Sequence, residues 1–248
     1  MRTDRGPALS KRLETVKNVI GECGTFADIG SDHALLPVRM VMDGQAGKAI
    51  VTDLRKGPLE TAAGNIDRYC PGLKDRFSLR QGSGLSVLKK GEAEVKAICG
   101  MGGLLIEEII EDDFDIASEG RLVLQPNTSL PELRVFLLSK GFEIKNETGI
   151  CDAGHSYAVI DCVYTGVKRT ISADSIEAVA GEFIGRDRDP EGVKYLKALR
   201  RRYEIPLAKI NERDGAEGPA RDFAKKNKRQ AELESVILKI DAILGDNK

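Results

Sequence analysis

The chain alternates short apolar segments with glycine-containing turns and helical stretches, and this alternation restricts it to an α/β fold with a mostly parallel sheet. Five strands are predicted from it, at residues 25–29, 48–53, 77–81, 95–99 and 121–125. Apolar residues at helical spacing predict helices at about 8–21, 35–42, 58–70, 104–110 and 130–140. The strand–helix–strand connections are expected to be right-handed, so that helices cover both faces of the sheet.

Two further strands are predicted near residues 142–148 and 157–164. About eight residues separate them, which is too few for a helical crossover, so these two strands are expected to pair antiparallel. A parallel sheet closed by an antiparallel hairpin is typical of the Rossmann-like class I methyltransferase sheet, with seven strands and the last one antiparallel. The predicted fold class is therefore α/β of this type.

Beyond about Gly166 the sequence lacks strand-like runs and becomes helical and highly charged. Apolar residues recur at helical spacing over 176–184, 193–210 and 223–244, with Pro206 expected to kink the second helix and a turn at 215–219. Two domains are predicted: a catalytic sheet domain at 1–165, and a helical domain at 166–248 that resembles an antiparallel coiled coil.

The charge is nearly balanced, with 38 Lys and Arg against 39 Asp and Glu, and this argues against a nucleic-acid protein that is basic overall. The balance is uneven along the chain: residues 1–164 contain 20 basic and 24 acidic residues, and residues 165–248 contain 18 basic and 15 acidic residues. A localised basic surface on the tail therefore remains open.

The cysteines and the apolar runs exclude other classes of protein. Five cysteines with no C-x-x-C pair do not predict a disulfide framework or a zinc ribbon, and they suit the reducing cytoplasm. No stretch approaches the roughly 20 apolar residues of a membrane span, and the polar start does not predict a signal peptide. No metal is expected, because Asp32-His33 has no second carboxylate–histidine cluster to complete a site.

Acidic or glycine-rich turns follow four of the predicted strands. Parallel strands end at one edge of the sheet, where open α/β sheets bind their ligands. The turn after the first strand, residues 28–33, lacks two glycines of the dinucleotide fingerprint, so pyrophosphate binding is disfavoured. Asp53 ends the second strand, where a carboxylate can accept both hydroxyls of a ribose. The other two turns are Gly82-Ser83-Gly84-Leu85 and Gly100-Met101-Gly102-Gly103.

Each of these turns taken alone is more often structural than functional, but their combination is specific. Together with Gln125-Pro126-Asn127, the series resembles the bacterial tRNA (adenine(22)-N(1))-methyltransferase family (TrmK-type). The resemblance covers roughly residues 8–164, and the helical tail fits the family's C-terminal coiled-coil domain.

The resemblance implies S-adenosylmethionine as cofactor, with no metal. The residues implied at the cofactor are Asp28, Gly30, Ser31, Asp32 and His33, then Asp53 at the ribose with Leu54, then Gly82, Ser83, Gly84 and Leu85 on the adenine side, and Gly100, Met101, Gly102 and Gly103 at the methionine end and target base. Two positions depart from the family pattern. Ser83 stands where the family usually has a carboxylate, and Ser156 stands where a basic residue usually precedes the aromatic Tyr157.

The implied reaction is methylation of N1 of adenine 22 in tRNA by direct displacement. Adenine N1 keeps its lone pair at neutral pH and needs no strong base, but it lies on the pairing edge, so the base must be unpaired and turned into a pocket. Asp32 and the Gly100 carbonyl are candidates for stabilising the cationic product. Gln125 and Asn127 are candidates for hydrogen bonds to the adenine edge, the alternative being a purely structural turn with Pro126.

Basic runs at 197–202 and 225–229, with further basic residues near the start of the chain, are candidates for phosphate contact. The alternative for any single run is a solvated helix face. The candidate RNA-binding residues are Arg12, Lys197, Arg200, Arg201, Lys225, Lys226, Lys228 and Arg229. The expected partner is tRNA, in the cytoplasm, with no membrane and no obligate protein partner.

Two other functions stay open from the sequence. The first is a methyltransferase for a small molecule or a protein, with the helical tail serving dimerisation. The second is a non-catalytic RNA-binding protein on a methyltransferase fold, against which the intact Asp28, Gly30 and Asp53 argue.

Overall fold

A computed structural model describes residues 6–212 and 220–245, except for the side chains of residues 212 and 220–226. In chain order the elements are α1 (Lys11–Ile20), β1 (Cys23–Ile29), α2 (Leu35–Met42), β2 (Ala46–Asp53), α3 (Lys56–Tyr69), a short 3-10 helix (Lys74–Arg76), β3 (Phe77–Gln81), β4 (Val95–Gly102), α4 (Gly103–Asp112), α5 (Phe114–Ala117), β5 (Arg121–Thr128), α6 (Leu130–Lys140), β6 (Phe142–Asp152), β7 (His155–Tyr164), α7 (Ile176–Ala180), α8 (Pro190–Glu212) and α9 (Ala220–Leu244).

The strands form one seven-stranded sheet in the order β3-β2-β1-β4-β5-β7-β6. The first five strands run parallel, and β7 is antiparallel to both of its neighbours. The predicted fold class is confirmed. Strand β1 lies between β2 and β4, so the order of the sheet reverses beside β1 and opens a crevice at its carboxyl end.

Helices cover both faces of the sheet. On one face, Val16 and Ile20 of α1 and Met40 of α2 pack on Phe26 of β1. The other face is covered by α4 and α6, whose buried side chains pack against the alternate residues of the same strands. Asp28 follows Phe26 by two residues and therefore points to the face that α1 and α2 cover.

The hairpin between β6 and β7 is tighter than predicted. Its antiparallel pairing is confirmed, but the expected loop of about eight residues is wrong, because the turn consists only of Ala153 and Gly154, both with positive φ (48° and 80°). Gly149 interrupts the apolar pattern of the strand, and the predicted strand therefore ends near residue 148. A Cβ at Gly149 would lie 2.7 Å from Cγ of Tyr195, so α8 packs directly against the glycine of β6.

The helical tail is confirmed, with one helix shorter than predicted. Helix α7 ends at Ala180 and not at residue 184, because Gly181 turns the chain with a φ of 85°. Helix α8 continues past Pro206 as one helix, and it packs antiparallel to α9, with Arg200 paired to Asp241. The predicted turn at 215–219 lies outside the described residues.

A buried ion pair joins the tail to the sheet. Arg134 of α6 and Glu147 of β6 are both almost inaccessible to solvent, and Nε of Arg134 lies 2.6 Å from Oε1 of Glu147. Arg134 also donates to the Ala178 carbonyl of α7 at 2.7 Å, and the Glu182 amide donates to Glu147 at 2.9 Å. Both charges thus belong to the sheet domain, and the tail supplies further hydrogen-bond partners to them. The division into two domains at residue 165 stays a prediction.

We expect Arg134→Met to lower the free energy of unfolding by about 3–5 kcal/mol, because it leaves the Glu147 carboxylate buried without its cation. Urea unfolding followed by circular dichroism measures this loss. Lys56→Met is the matched control: it breaks an exposed pair with Glu60 and should change stability by less than about 1 kcal/mol. Equal effects of the two substitutions would contradict the role of the buried pair.

Candidate active site

A cavity of about 300 Å³ opens where β1 and β4 end, between α1 and α2. Six of the residues predicted at the site line it: Asp28, Gly30, Ser31, Asp32, His33 and Gly100. Cys99 also lines it, and burial raises the pKa of its thiol far above the ordinary value, so this sulfur stays protonated.

Gly30 permits a close approach of two turns. Its φ is 74°, and a Cβ at this position would lie 2.0 Å from Cε of Met101. A side chain at residue 30 would displace the Met101 methyl, and the positive φ favours glycine at this position. Gly30 itself lines the cavity, with the Met101 methyl packed against it.

Asp28 is the buried charge of the cavity. Its side chain lies at the end of β1, and the residue is only 7% exposed. Burial raises the pKa of its carboxyl to about 6, and the hydrogen bond with Ser31 opposes part of that shift. A carboxylate with so little water around it attracts a cationic group of a ligand strongly.

The remaining turns lie along the same sheet edge, on the β2 and β3 side. Asp53 is nearly buried, and its Oδ1 accepts from the Arg55 amide at 2.8 Å. Its carbonyl accepts from the Gly82 amide at 3.1 Å, which holds the β2 turn beside the β3 turn. Leu54 is 65% exposed and presents an apolar surface to solvent next to Asp53. Ser83 is exposed and Leu85 is buried.

Gln125 forms the centre of a hydrogen-bond network and does not face the cavity. It is fully buried, and its Oε1 accepts from the Arg12 guanidinium and, at 3.2 Å, from the Gly100 amide. Its Nε2 donates to Pro126 O at 3.0 Å and to Asn127 Oδ1 at 3.2 Å. Its amide group is therefore fully used within the protein. Asn127 is exposed, and its Nδ2 donates to the Gly100 carbonyl at 2.7 Å.

Both strands at this network run longer than predicted. Strand β4 continues to Gly102 and β5 to Thr128, with register shifts around Met101. These irregularities place the Gly100 turn and the Asn127 turn side by side, as bulges near active sites often do.

Helix α1 forms a wall of the cavity that the sequence did not predict. Arg12, predicted to contact RNA, lines the cavity together with Leu13. Its guanidinium bonds Gln125 and lies 5.7 Å from the centre of the Tyr157 ring. Arg121 of β5 fixes the other end of α1 by donating to the carbonyls of Val19 and Ile20. The signal in the sequence was the amphipathic pattern of residues 9–20, which indicates a helix on the sheet but not its position.

Asp32 and His33 lie at the entrance of the cavity, both more than half exposed, with Nε2 of His33 3.1 Å from Oδ2 of Asp32. Among residues 6–212 and 220–245, no three His, Cys, Asp or Glu side chains are grouped as metal ligands. Within the same ranges, no helix is both long and apolar enough to cross a membrane.

The predicted RNA-binding residues differ in their surroundings. Lys197, Arg201 and Lys228 are exposed, and Arg229 is exposed with a long 3.4 Å contact to Glu232. Arg200 is different, because its guanidinium is paired with both Asp241 and Glu204. It holds α8 to α9 and has little capacity left for a phosphate. The side chains of Lys225 and Lys226 lie outside the described residues.

Comparison with known proteins agrees with this geometry. Residues 9–160 match the methyltransferase domain family. The tRNA (adenine(22)-N(1))-methyltransferase of Bacillus subtilis (strain 168) is 38% identical over 178 residues, which are 71% of this chain and 73% of that relative. This chain belongs to the tRNA (adenine(22)-N(1))-methyltransferase family.

Two solved structures are similar to this family member over nearly its whole length. Sp1610 of Streptococcus pneumoniae, in complex with S-adenosyl-L-methionine, has a TM-score of 0.75 and 27% identity, covering 93% of this chain and 100% of that one. TrmK of M. capricolum, in complex with the cofactor product S-adenosyl-homocysteine, has a TM-score of 0.76 and 25% identity, covering 95% and 99%. The resemblance predicted from the motifs is confirmed.

The raised pKa of Asp28 predicts a pH-dependent cost in stability. Because the folded-state pKa of about 6 lies above the ordinary 3.8, the ligand-free protein loses stability as pH rises from about 4 through 6. Asp28→Asn removes this titration. We therefore expect the free energy of unfolding of the variant, relative to that of the wild type, to rise by about 1–3 kcal/mol from pH 4 to pH 7.5. Urea unfolding at both pH values measures the difference, and a constant difference would contradict the assignment.

Proposed function

We propose that this chain transfers a methyl group from S-adenosylmethionine to N1 of adenine 22 in tRNA. The observation that carries the proposal is the cavity at the ends of β1 and β4, bordered by the Gly100–Gln125–Asn127 network, in a member of this family. The names and ligands of its relatives supply the substrate and the cofactor class.

The residues at the sheet edge fit S-adenosylmethionine. Gly30 lines the cavity without a side chain of its own, and Asp28, ionised above about pH 6, holds a cationic part of the ligand. Asp53 accepts the ribose hydroxyls beside Leu54. When bound, the cofactor supplies an electrophilic methyl group. The other proposed contacts are Ser31, Asp32 and His33, the turn Gly82, Ser83, Gly84 and Leu85, and the turn Gly100, Met101, Gly102 and Gly103.

Ser83 and Ser156 are the positions at which this chain departs from the family pattern. Ser83 is exposed at the adenine side, so its hydroxyl can donate or accept where a carboxylate could only accept. Near Ser156, Arg12 lies over the Tyr157 ring and supplies a positive charge beside that aromatic. Both substitutions leave the proposed chemistry in place.

On the substrate side, the protein has to orient an unpaired adenine and exclude water, because N1 needs no base to become nucleophilic. Asn127 is the exposed amide beside Gly100 and is the group that can bond the pairing edge of adenine. Gln125 is buried and fully hydrogen-bonded, so we assign it to positioning Asn127 and Gly100. Asp32 and the Gly100 carbonyl stabilise the cationic product.

The tRNA is proposed to contact the basic side chains of the helical domain, residues 166–248, while the sheet domain, residues 1–165, carries the chemistry. The exposed Lys197, Arg201, Lys228 and Arg229 suit phosphate contact. A tRNA substrate implies a cytoplasmic location.

The test is incubation with unmodified tRNA and S-adenosylmethionine, followed by mapping of the methylated nucleotide. Methylation of small metabolites or proteins with none of tRNA would overturn the proposal.

We expect Asp53→Ala to weaken S-adenosylmethionine binding by more than about tenfold, because a ribose would lose a charged hydrogen-bond acceptor. Isothermal titration calorimetry measures the dissociation constant. Asp75→Ala removes an exposed carboxylate from the 3-10 helix and is the matched control. An unchanged affinity in Asp53→Ala would remove this residue from the ribose site.

We expect Asn127→Ala to lower kcat for tRNA methylation by roughly 10- to 100-fold, because the adenine edge and the Gly100 turn lose their alignment. Affinity for S-adenosylmethionine should stay close to that of the wild type. Asn146→Ala removes an exposed amide from β6 and serves as the control. If Asn127→Ala retained the kcat of the wild type, its proposed contact with the base would be wrong.

A further inference from the structure

A second cavity, of about 310 Å³, lies between the sheet domain and the pair α8–α9. We call it the interdomain cavity. Its walls include the end of β5, the starts of α6 and β7, and both long helices. The described residues that line it include no Asp or Glu, although acidic residues are as numerous as basic ones in the chain.

The interdomain cavity borders the proposed active site. Asn127 lines it, and the same side chain donates to the carbonyl of Gly100, which lines the cofactor cavity. Tyr157 also lines the interdomain cavity, while Arg12, which lies over its ring, lines the cofactor cavity. These contacts separate the two cavities by only a few side chains.

The lining combines aromatic rings with an apolar floor. Tyr157 and Tyr203 are half-buried, so part of each ring remains accessible, whereas Tyr195 is fully buried. The apolar floor consists of Ala158, Val179, Leu199 and Leu233. Accessible tyrosines over an apolar floor suit the stacking of a flat, uncharged group such as a nucleobase.

Two arginines at the cavity are weakly held. Arg202 is exposed and makes a long bond of 3.4 Å to the Ser156 carbonyl, and Arg229 is exposed with a 3.4 Å contact to Glu232. Arg200, two residues before Arg202, is by contrast held by two carboxylates. Arg202 and Arg229 can therefore turn to a phosphate at little cost.

We propose that the interdomain cavity binds one nucleotide that flanks the target adenine, with its base against Tyr157 and Tyr203 and its phosphate on Arg202 and Arg229. The inference rests on the proposed function. Turning the target adenine out of its stack leaves a neighbouring base without a stacking partner, and a tyrosine-lined cavity beside the active site replaces that partner.

The first test compares steady-state kinetics of the full-length variants on unmodified tRNA. Tyr203→Ala should raise KM for tRNA by roughly 5- to 150-fold, the range for loss of one base–aromatic stack, while Tyr203→Phe keeps the ring and stays near wild type. The affinity for S-adenosylmethionine and the melting temperature should change little, which separates the effect from misfolding. A loss confined to kcat would overturn the proposal and assign the cavity to the target adenine.

Arg202→Ala tests the phosphate contact separately. It should lower the slope of log affinity against log salt for tRNA by about one. Arg68→Ala is the matched control, because it removes an equal charge from α3 and should leave the slope unchanged. Helix α3 packs against β2 and β3, at the opposite edge of the sheet from the strands that α8 contacts. Equal slopes in wild type and Arg202→Ala would contradict the contact.

The decisive measurement uses tRNAs with a single abasic nucleotide on either side of the target. One abasic position should weaken binding to the wild type and cause no further loss in Tyr203→Ala, because the missing base and the missing ring belong to the same contact. Additive losses at every position would overturn the inference. If the wild type fails to methylate tRNA at all, the proposed function fails, whereas methylation with additive losses removes only this inference.

Discussion

The buried pair of Arg134 and Glu147 joins α6, β6 and the start of the tail, and the placement of the long helices depends on it. Its charges lie almost out of reach of water, so they need the backbone partners that α7 and the segment after it supply. With α7 held there, Tyr195 of α8 packs on Gly149 of β6. This docking brings the basic helices to the end of the sheet that carries the candidate active site.

The candidate active site depends on a second set of interactions between distant parts of the chain. Arg12 of α1 and Gly100 of β4 both bond the buried amide of Gln125. That amide in turn supports Asn127, so three elements fix the position of one exposed side chain. A polar network of this kind is fully satisfied within the protein, which favours a single geometry at the site proposed to align the base.

Local patterns were sufficient for the sheet and for its ligand-binding edge. The period of the apolar residues and the glycines after the strands predicted the parallel strands, the antiparallel pair and the turns at Asp28, Asp53, Gly82 and Gly100, since each signal lies within a few residues. Where a tertiary contact required a glycine, the predicted end of the strand or helix was wrong. Gly149 leaves room for the Tyr195 ring, but it interrupts the apolar pattern from which a strand is predicted. Gly181 ends α7 where the Glu147 carboxylate leaves no room for a Cβ.

The roles of individual polar residues were decided by the tertiary structure alone. In the sequence, Gln125 is indistinguishable from Asn127 as a candidate, and Arg200 from Arg201. In the structure, Gln125 is buried and Arg200 is ion-paired, whereas Asn127 and Arg201 are exposed. Hydrogen-bond partners more than 100 residues apart, such as Arg12 and Gln125, leave no periodic trace. The sequence thus determined the fold, its family and the edge where ligands bind. Only the packing of the tail on the sheet decided which side chains remain free there and created the interdomain cavity, because both depend on contacts between segments far apart in the chain.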